Sequence, residues 1–393
     1  MQATDLRQFI LQHLESADLD RLVLNAHRFP HIDVPFAVLQ IKLLRKLAVK
    51  LPSWSGKNLI FPDSTCLEQA SSEAAARYKA GLFGGTRMAD LGGGLGVDTW
   101  AFSFAFREVI YVEPDLDRFN AALQNFAALG RTNITCYHTD AAAFLEQQAP
   151  DALDLVYMDP ARRDAQNRRV VSLSDCAPDV TRLLDPLLRS TSTVLLKTAP
   201  MLDIRHTLLL LQKVTAVWVV SVHDEVREVL YLVERQPMDP DHVPITVIDA
   251  GDQRAGGFIF RFAEEYHTES VFSPPATWLY DPSPALLKAG AFKCAGARFG
   301  LSKLHPNTHL YTSDAPIDGF PGRRFRVYGV VKNDRKAVRE AIGANRAHVA
   351  VRHFPTAAAD VRKALQLKEG GHWHLFAATL ADNTKRILVT QAE

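Results

Sequence analysis

No stretch of this chain is apolar for long enough to cross a bilayer. The longest hydrophobic runs have the length of β-strands, short of the about 20 residues that a membrane helix needs. Cysteine is scarce too: Cys66, Cys136, Cys176 and Cys294 are scattered and form no C-x-x-C pair. Their spacing argues against structural zinc and against a disulfide framework, and for a reducing compartment. The opening MQATDLRQFI has neither a basic leader nor an apolar signal core, so a cytoplasmic protein is expected. Net charge is nearly absent, 45 Lys and Arg against 44 Asp and Glu, which excludes a uniformly basic or acidic chain. It does not exclude a division of charge. Residues 322–393 hold 14 Lys and Arg against 6 Asp and Glu, a net of +8, so the remainder carries −7.

A chain of 393 residues exceeds the size at which one core keeps growing, so several domains are expected. The stretch that organises them is Met88 to Asp98, MADLGGGLGVD. An apolar run ends in Asp90 and is followed by Gly92, Gly93, Gly94 and Gly96, the pattern of a strand that stops in a glycine turn and restarts as a helix. The dinucleotide fingerprint G-x-G-x-x-G would need glycine at 97, where Val97 stands. A nicotinamide-dependent oxidoreductase is disfavoured on that ground. Counted from Asp90 the spacing is Asp-x-Gly-x-Gly-x-Gly, and three further apolar runs end in acids: EVIYVEPD in Glu113, NITCYHTD in Asp140 beside Ala141, and LDLVYMDP in Asp159.

This series resembles the class I S-adenosylmethionine-dependent methyltransferases. The resemblance implies that Asp90, Gly92, Gly94 and Gly96 form the cofactor loop and that Glu113 accepts the ribose hydroxyls. Asp140, with Ala141, would bind the adenine amino group, and Asp159 would open the catalytic motif while lying against the cofactor. Methyl transfer from a sulfonium is an in-line displacement, so the enzyme's task is alignment and, where the nucleophile carries a proton, its acceptance. Asp159 is the candidate that hydrogen-bonds an exocyclic amine of a flipped or single-stranded base. The family's Asp-Pro-Pro-aromatic motif is altered here to Asp159-Pro160-Ala161-Arg162-Arg163, without the stacking aromatic. Arg162 could stack on a base or hold a phosphate in its place, or pair with Asp164. An RNA-binding factor that keeps the cofactor without turnover is the alternative reading.

From Thr86 to about Val233 strand and helix alternate, with strands expected at 87–91, 109–113, 134–138, 153–158, 193–197, 217–222 and 229–233. The last two are joined by a short charged turn and should form an antiparallel hairpin. The expected fold is a Rossmann-like α/β sheet of seven strands, the last antiparallel, for which the resemblance implies the order 3-2-1-4-5-7-6. Residues 1–60 read as a helical domain whose last helix carries Lys42, Arg45, Lys46 and Lys50, with Trp54 and Lys57 after it. These could track nucleic acid or merely solvate a helix face. Thr65-x-x-Glu68 reads as a capping box opening a helix that runs on towards the first strand. Gln69, Ser71, Ser72 and Glu73 are its polar candidates for the methionine end of the cofactor, Ser72 first, or equally the second capping signal of a kinked helix.

The methyltransferase domain is expected to span 61–262. Residues 263–321 then resemble a small ferredoxin-like insert, and 322–393 resemble a THUMP-like domain, read as strand, helix, strand, helix, strand, strand. THUMP-type domains are associated with RNA-modifying enzymes, so the resemblance and the +8 charge both point to tRNA or rRNA as partner. His372, Trp373 and His374 are tempting as stacking groups, but alternation along a strand lets at most half of them face RNA. Two histidines without a third ligand make a poor metal site, and none is expected.

Overall fold

The structure, a computed structural model, describes residues 3–161, 173–252 and 257–393. It divides into two compact units, one of Met1–Leu202 with Leu230–Pro237 and one of Asp203–Val229 with Met238–Glu393. Among the described residues no helix is long and apolar enough to cross a membrane. No group of three or more His, Cys, Asp or Glu among them could hold a metal ion.

The first sheet begins with β1 (Gly85–Leu91), β2 (Phe106–Val112), β3 (Ile134–Tyr137), β4 (Leu155–Met158) and β5 (Thr193–Thr198). It continues with β6 (Val214–Val222) and β7 (Glu225–Glu234). Strand β1 pairs in parallel with both β2 and β4, so its two neighbours lie on either side of a topological switch point. The hairpin between β6 and β7 turns on His223 and Asp224, whose φ values of +53° and +60° are the left-handed pair that a two-residue turn demands. The sheet does not stop at seven strands. β8 (Ile245–Asp249) adds to β6 in parallel and β9 (Phe258–Phe260) follows antiparallel, giving the order β3-β2-β1-β4-β5-β7-β6-β8-β9. The seven expected strands keep their expected order inside it, and the addition covers an edge that would otherwise be open.

The N-terminal helices Ala3–His13, Leu19–Leu24 and Val34–Lys50 pack around Phe9, Leu19, Val34, Val38 and Ile41. The cations of the third helix are engaged within the chain. Lys46 pairs with Glu68 at 2.9 Å, Lys42 lies 3.6 Å from Asp20, Arg45 donates to the carbonyls of Leu14 and Ser16, and Lys50 donates to that of Leu67. Trp54 is fully buried and meets Trp100 edge-on at 5.8 Å. Lys42 and Lys46 stay more than half exposed, as on a solvated helix face, while Trp54 packs inside.

The capping box does not form. Asp63 Oδ1 accepts from the Thr65 and Cys66 N–H groups and from the Thr65 hydroxyl, while Glu68 turns to Lys46. The helix is also not continuous: Cys66–Gln69 ends at an extended Ala70, and Ser72 starts a second helix, Glu73–Gly81, by accepting from the Ala75 N–H. Serine side chains that bond locally favour such a break over helix interior.

The second sheet lies within the second unit. Its strands are β10 (Trp278–Pro282), β11 (Ser302–His305), β12 (Thr308–Ser313), β13 (Gly322–Lys332), β14 (His348–Arg352), β15 (Trp373–Thr379) and β16 (Lys385–Ala392), in the order β11-β12-β10-β13-β16-β15-β14. Strand β13 pairs with β10 on one side and β16 on the other, so the two segments read as separate domains share one sheet. Helices Arg335–Ile342 and Ala358–Ala364 place Val338, Ile342 and Val361 against Leu375, Ile387 and Val389. On the other face Phe325, Phe376 and Leu388 pack with Leu279, Leu304 and Leu310. Asp281, 2% exposed, accepts from Arg323 at 3.1 Å and Arg352 at 2.6 Å, a link that spends two of the basic residues internally.

Candidate active site

At the carboxyl end of β1 the chain turns through Gly92–Gly96 into the helix Val97–Phe102. Gly94, at φ +56°, holds a left-handed conformation that a side chain would strain, and a Cβ built there would meet nothing within 4 Å. The space in front of the loop is open. A Cβ on Gly96, at φ +83°, would instead run into the Phe126 ring. The loop is tied to β2 by side chains: Glu113 Oε2 accepts from the Gly94 N–H at 2.8 Å, and the Tyr111 hydroxyl donates to the Gly94 carbonyl at 2.6 Å. Glu113 Oε1 accepts from the Asp115 N–H at 2.9 Å, so the carboxylate is 5% exposed and braced against the loop.

Beneath the loop lies a buried group of charges. Asp90 is 1% exposed; its Oδ2 accepts from the Thr99 hydroxyl at 2.5 Å, and its Oδ1 has no hydrogen-bond partner among the described residues. Burial pushes the Asp90 carboxyl up to about 8, against the Thr99 hydrogen bond, with the charges of Asp98 and Asp159 pushing the same way and Lys197 opposing. A value near 8 favours its protonated form at neutral pH. An orphaned buried oxygen is costly unless something donates to or accepts from it. The residues present fit a cofactor with a polar amino-acid end and a ribose.

The raised value has a consequence for stability. Between the ordinary value of 3.8 and about 8 the folded protein holds a proton on Asp90 that the unfolded chain has released. The stability this acid contributes is thus lost as pH rises through that window and is flat above it. Asp90→Asn should make the unfolding free energy less steep in pH between 4 and 8, as measured by urea titrations at several pH values. An unchanged slope would mean that Asp90 is ionised throughout.

Asp98 is the hub of the group. Its Oδ2 accepts from the Ser71 hydroxyl at 2.8 Å and the Tyr157 hydroxyl at 2.9 Å, its Oδ1 lies 3.2 Å from the Lys79 ammonium, and Lys197 stands at 3.9 Å. Burial alone would raise the Asp98 carboxyl, but Lys79 and Lys197, with the two hydroxyls, outweigh it and hold it below the ordinary carboxylate value. The ammonium of Lys197, 4% exposed, reaches on to form an ion pair with Asp159 Oδ2. Among the described residues, Asp90, Asp98 and Asp159 thus share this region with Lys79 and Lys197. Removing one partner from such a group leaves a buried charge unanswered: Lys79→Met should cost about 3–5 kcal/mol in chemical denaturation. A loss within the about 0.5 kcal/mol usual for surface sites would show that Asp98 does not depend on it.

Asp90, Glu113 and Asp159 fall at the carboxyl ends of β1, β2 and β4, with Lys197 inside the end of β5. Asp140 is exposed and caps the helix Ala141–Glu146 by accepting from the Ala143 N–H at 2.8 Å, with Ala141 buried beneath it. Ser72 caps its own helix; it is Ser71 that enters the charge group. Glu73 is engaged with Ser53 and Arg77. Arg162, Arg163 and Asp164 lie outside the described residues. Lys79, Asp98 and Lys197 were not anticipated, although a lysine among Ala75, Ala76 and Ala80 lies on the buried face of its helix.

Family models match two parts of the chain, a ferredoxin-like domain over residues 278–321 and a THUMP domain-like region over 322–392. A protein of Porphyromonas gingivalis W83 designated a methyltransferase, known from its crystal structure, is 31% identical and superposes with a TM-score of 0.88 over 99% of this chain and 97% of its own. An uncharacterised S-adenosylmethionine-dependent methyltransferase of Mycobacterium tuberculosis is 26% identical over 314 residues, covering 79% of this chain and 82% of the relative. With the glycine loop and its braced acid, these similarities identify S-adenosylmethionine as the cofactor. The chain belongs to the class I S-adenosylmethionine-dependent methyltransferases that carry a C-terminal THUMP-like domain.

Proposed function

We propose that the protein methylates a base of tRNA or rRNA, with Asp159 orienting the target nitrogen. The observation that carries this reading is the Asp159–Lys197 ion pair: the carboxylate is 31% exposed at the carboxyl end of β4 and is anchored through one oxygen to a buried ammonium. Oδ2 is the anchored atom, and Oδ1 would accept from the substrate amine. S-adenosylmethionine, when bound, supplies a methyl group on a sulfonium that is open to in-line displacement. Glu113 would hold the ribose, Asp90 and the glycine loop the cofactor's remaining polar groups, and Asp140 with Ala141 the adenine. Arg162 would contact the substrate base or phosphate, and Ser72 would stand near the methionine end.

RNA as the substrate class is supported by the THUMP-like match and by the net charge of +8 on residues 322–393. Incubation with labelled cofactor and total RNA from a strain lacking the protein should place label in the RNA. Label found only in protein or small molecules would change the substrate class. Binding of the full-length chain to RNA should weaken steeply from low to physiological salt, because cations that neutralise phosphates release counterions. Deleting 322–393 is a poor test, since it strips β10 of its β13 partner.

The second reading, a binding factor without turnover, is favoured by one feature only. Asp159-Pro160-Ala161 lacks the aromatic that would stack the target base. Such a protein would bind cofactor and RNA and transfer no methyl group.

A further inference from the structure

The sequence His372-Trp373-His374 has no part in the charge group around Asp98, and the second sheet separates its members. His374 stacks with His348 at 4.7 Å and lies 5.1 Å from Phe325. Trp373 meets a different neighbour, Tyr328, edge-on at 5.4 Å, and His372 lies 5.1 Å from the Trp373 ring. The Arg326 guanidinium stands 5.8 Å from the centre of the Tyr328 ring. Tyr328 takes up this place because the β13–β16 register shifts between Val327 and Gly329, so Tyr328 is the extra residue of a bulge, a device that re-aims a side chain. Arg326 and Trp373 both pair with Gln391 of β16, which puts them in one row across three strands.

Tyr328 is 54% exposed, and folding has left a large ring uncovered between a guanidinium and an indole. We infer that Arg326, Tyr328 and Trp373 form a platform on which an unpaired RNA base stacks. The inference rests on the proposal that RNA is the substrate, and it names where a single-stranded part of that RNA is held. Every base has an apolar face that stacks on an aromatic ring, and flanking arginines add charge to the stack and answer the phosphates. Residues 322–393, with a net charge of +8, complement a polyanion. A protein partner would need a broader apolar surface, and Val330 is the only other large hydrophobic exposed on β13.

The test measures binding of the full-length protein to a short oligoadenylate and to an RNA duplex by fluorescence anisotropy. Tyr328→Ala should weaken oligoadenylate binding about tenfold or more, with little effect on the duplex, and Tyr328→Phe should restore it. Arg326→Ala should also lower the slope of log affinity against log salt by about one, which Tyr328→Ala should not. RNA bound equally well by wild type and Tyr328→Ala would overturn the platform while leaving RNA as the substrate. Equal losses for oligoadenylate and duplex would make Tyr328 a structural residue and overturn it too. A wild-type protein that binds neither RNA at low salt would remove the proposed substrate class itself.

Discussion

Glu113→Ala should abolish measurable S-adenosylmethionine binding in a calorimetric titration. The carboxylate has two tasks in this fold. It fixes the glycine loop by accepting from the Gly94 and Asp115 N–H groups, and it is the acid proposed to receive both ribose hydroxyls. Hydrogen bonds to a charged group are worth about 1.5–3 kcal/mol each, so losing two weakens binding by about two to four orders of magnitude. Gly94→Val should reach the same end by another route. A β-branched residue at φ +56° is strained, and its side chain would occupy the open space that the ligand is to enter. Cofactor affinity unchanged in both variants would place the ligand elsewhere.

Asp159→Ala should lower turnover about a hundredfold to ten-thousandfold while leaving cofactor affinity within a few-fold of wild type. Its carboxylate stands partly exposed at the end of a strand, so its loss removes the proposed orienting acceptor without opening the core. Lys197→Met should slow the reaction in the same way if the ammonium, which pairs with Oδ2, positions the proposed orienting carboxylate. If Lys197 acts through Asp159, the double variant should be no slower than Asp159→Ala alone. Multiplied losses would give Lys197 a separate role. Full turnover in Asp159→Ala would exclude this carboxylate from the reaction.

The part of the site made of strand ends was legible in the sequence, because its signals are local. An apolar run, an acid and a glycine turn lie within a few residues of one another, and the strand periodicity places Asp90, Glu113 and Asp159 at carboxyl ends. The charge group was not legible, since it is assembled from positions far apart in the chain: Ser71, Lys79, Asp98, Tyr157 and Lys197 meet only after folding. Lys197, a base near the carboxyl end of β5, carries no such local signal. A second cap in a kinked helix was legible at Ser71 and Ser72 and forms at Ser72, but the first cap was misplaced, because Thr65-x-x-Glu68 satisfies the pattern while Asp63, just ahead of it, makes the hydrogen bonds. In the second unit the order of strands and helices could be read from 322 onward. The sharing of β13 between two segments could not, because β-pairing leaves no mark in either strand that names its partner.

The account is tested most directly by nucleoside mass spectrometry of RNA from a strain lacking the protein, after incubation with S-adenosylmethionine and either the wild-type protein or Asp159→Ala. Digested RNA treated with wild type should contain one methylated nucleoside in excess of the untreated control, and RNA treated with Asp159→Ala should match that control. Wild-type protein that binds the cofactor and RNA yet adds no methylated nucleoside would contradict the account and leave the binding factor as the remaining reading.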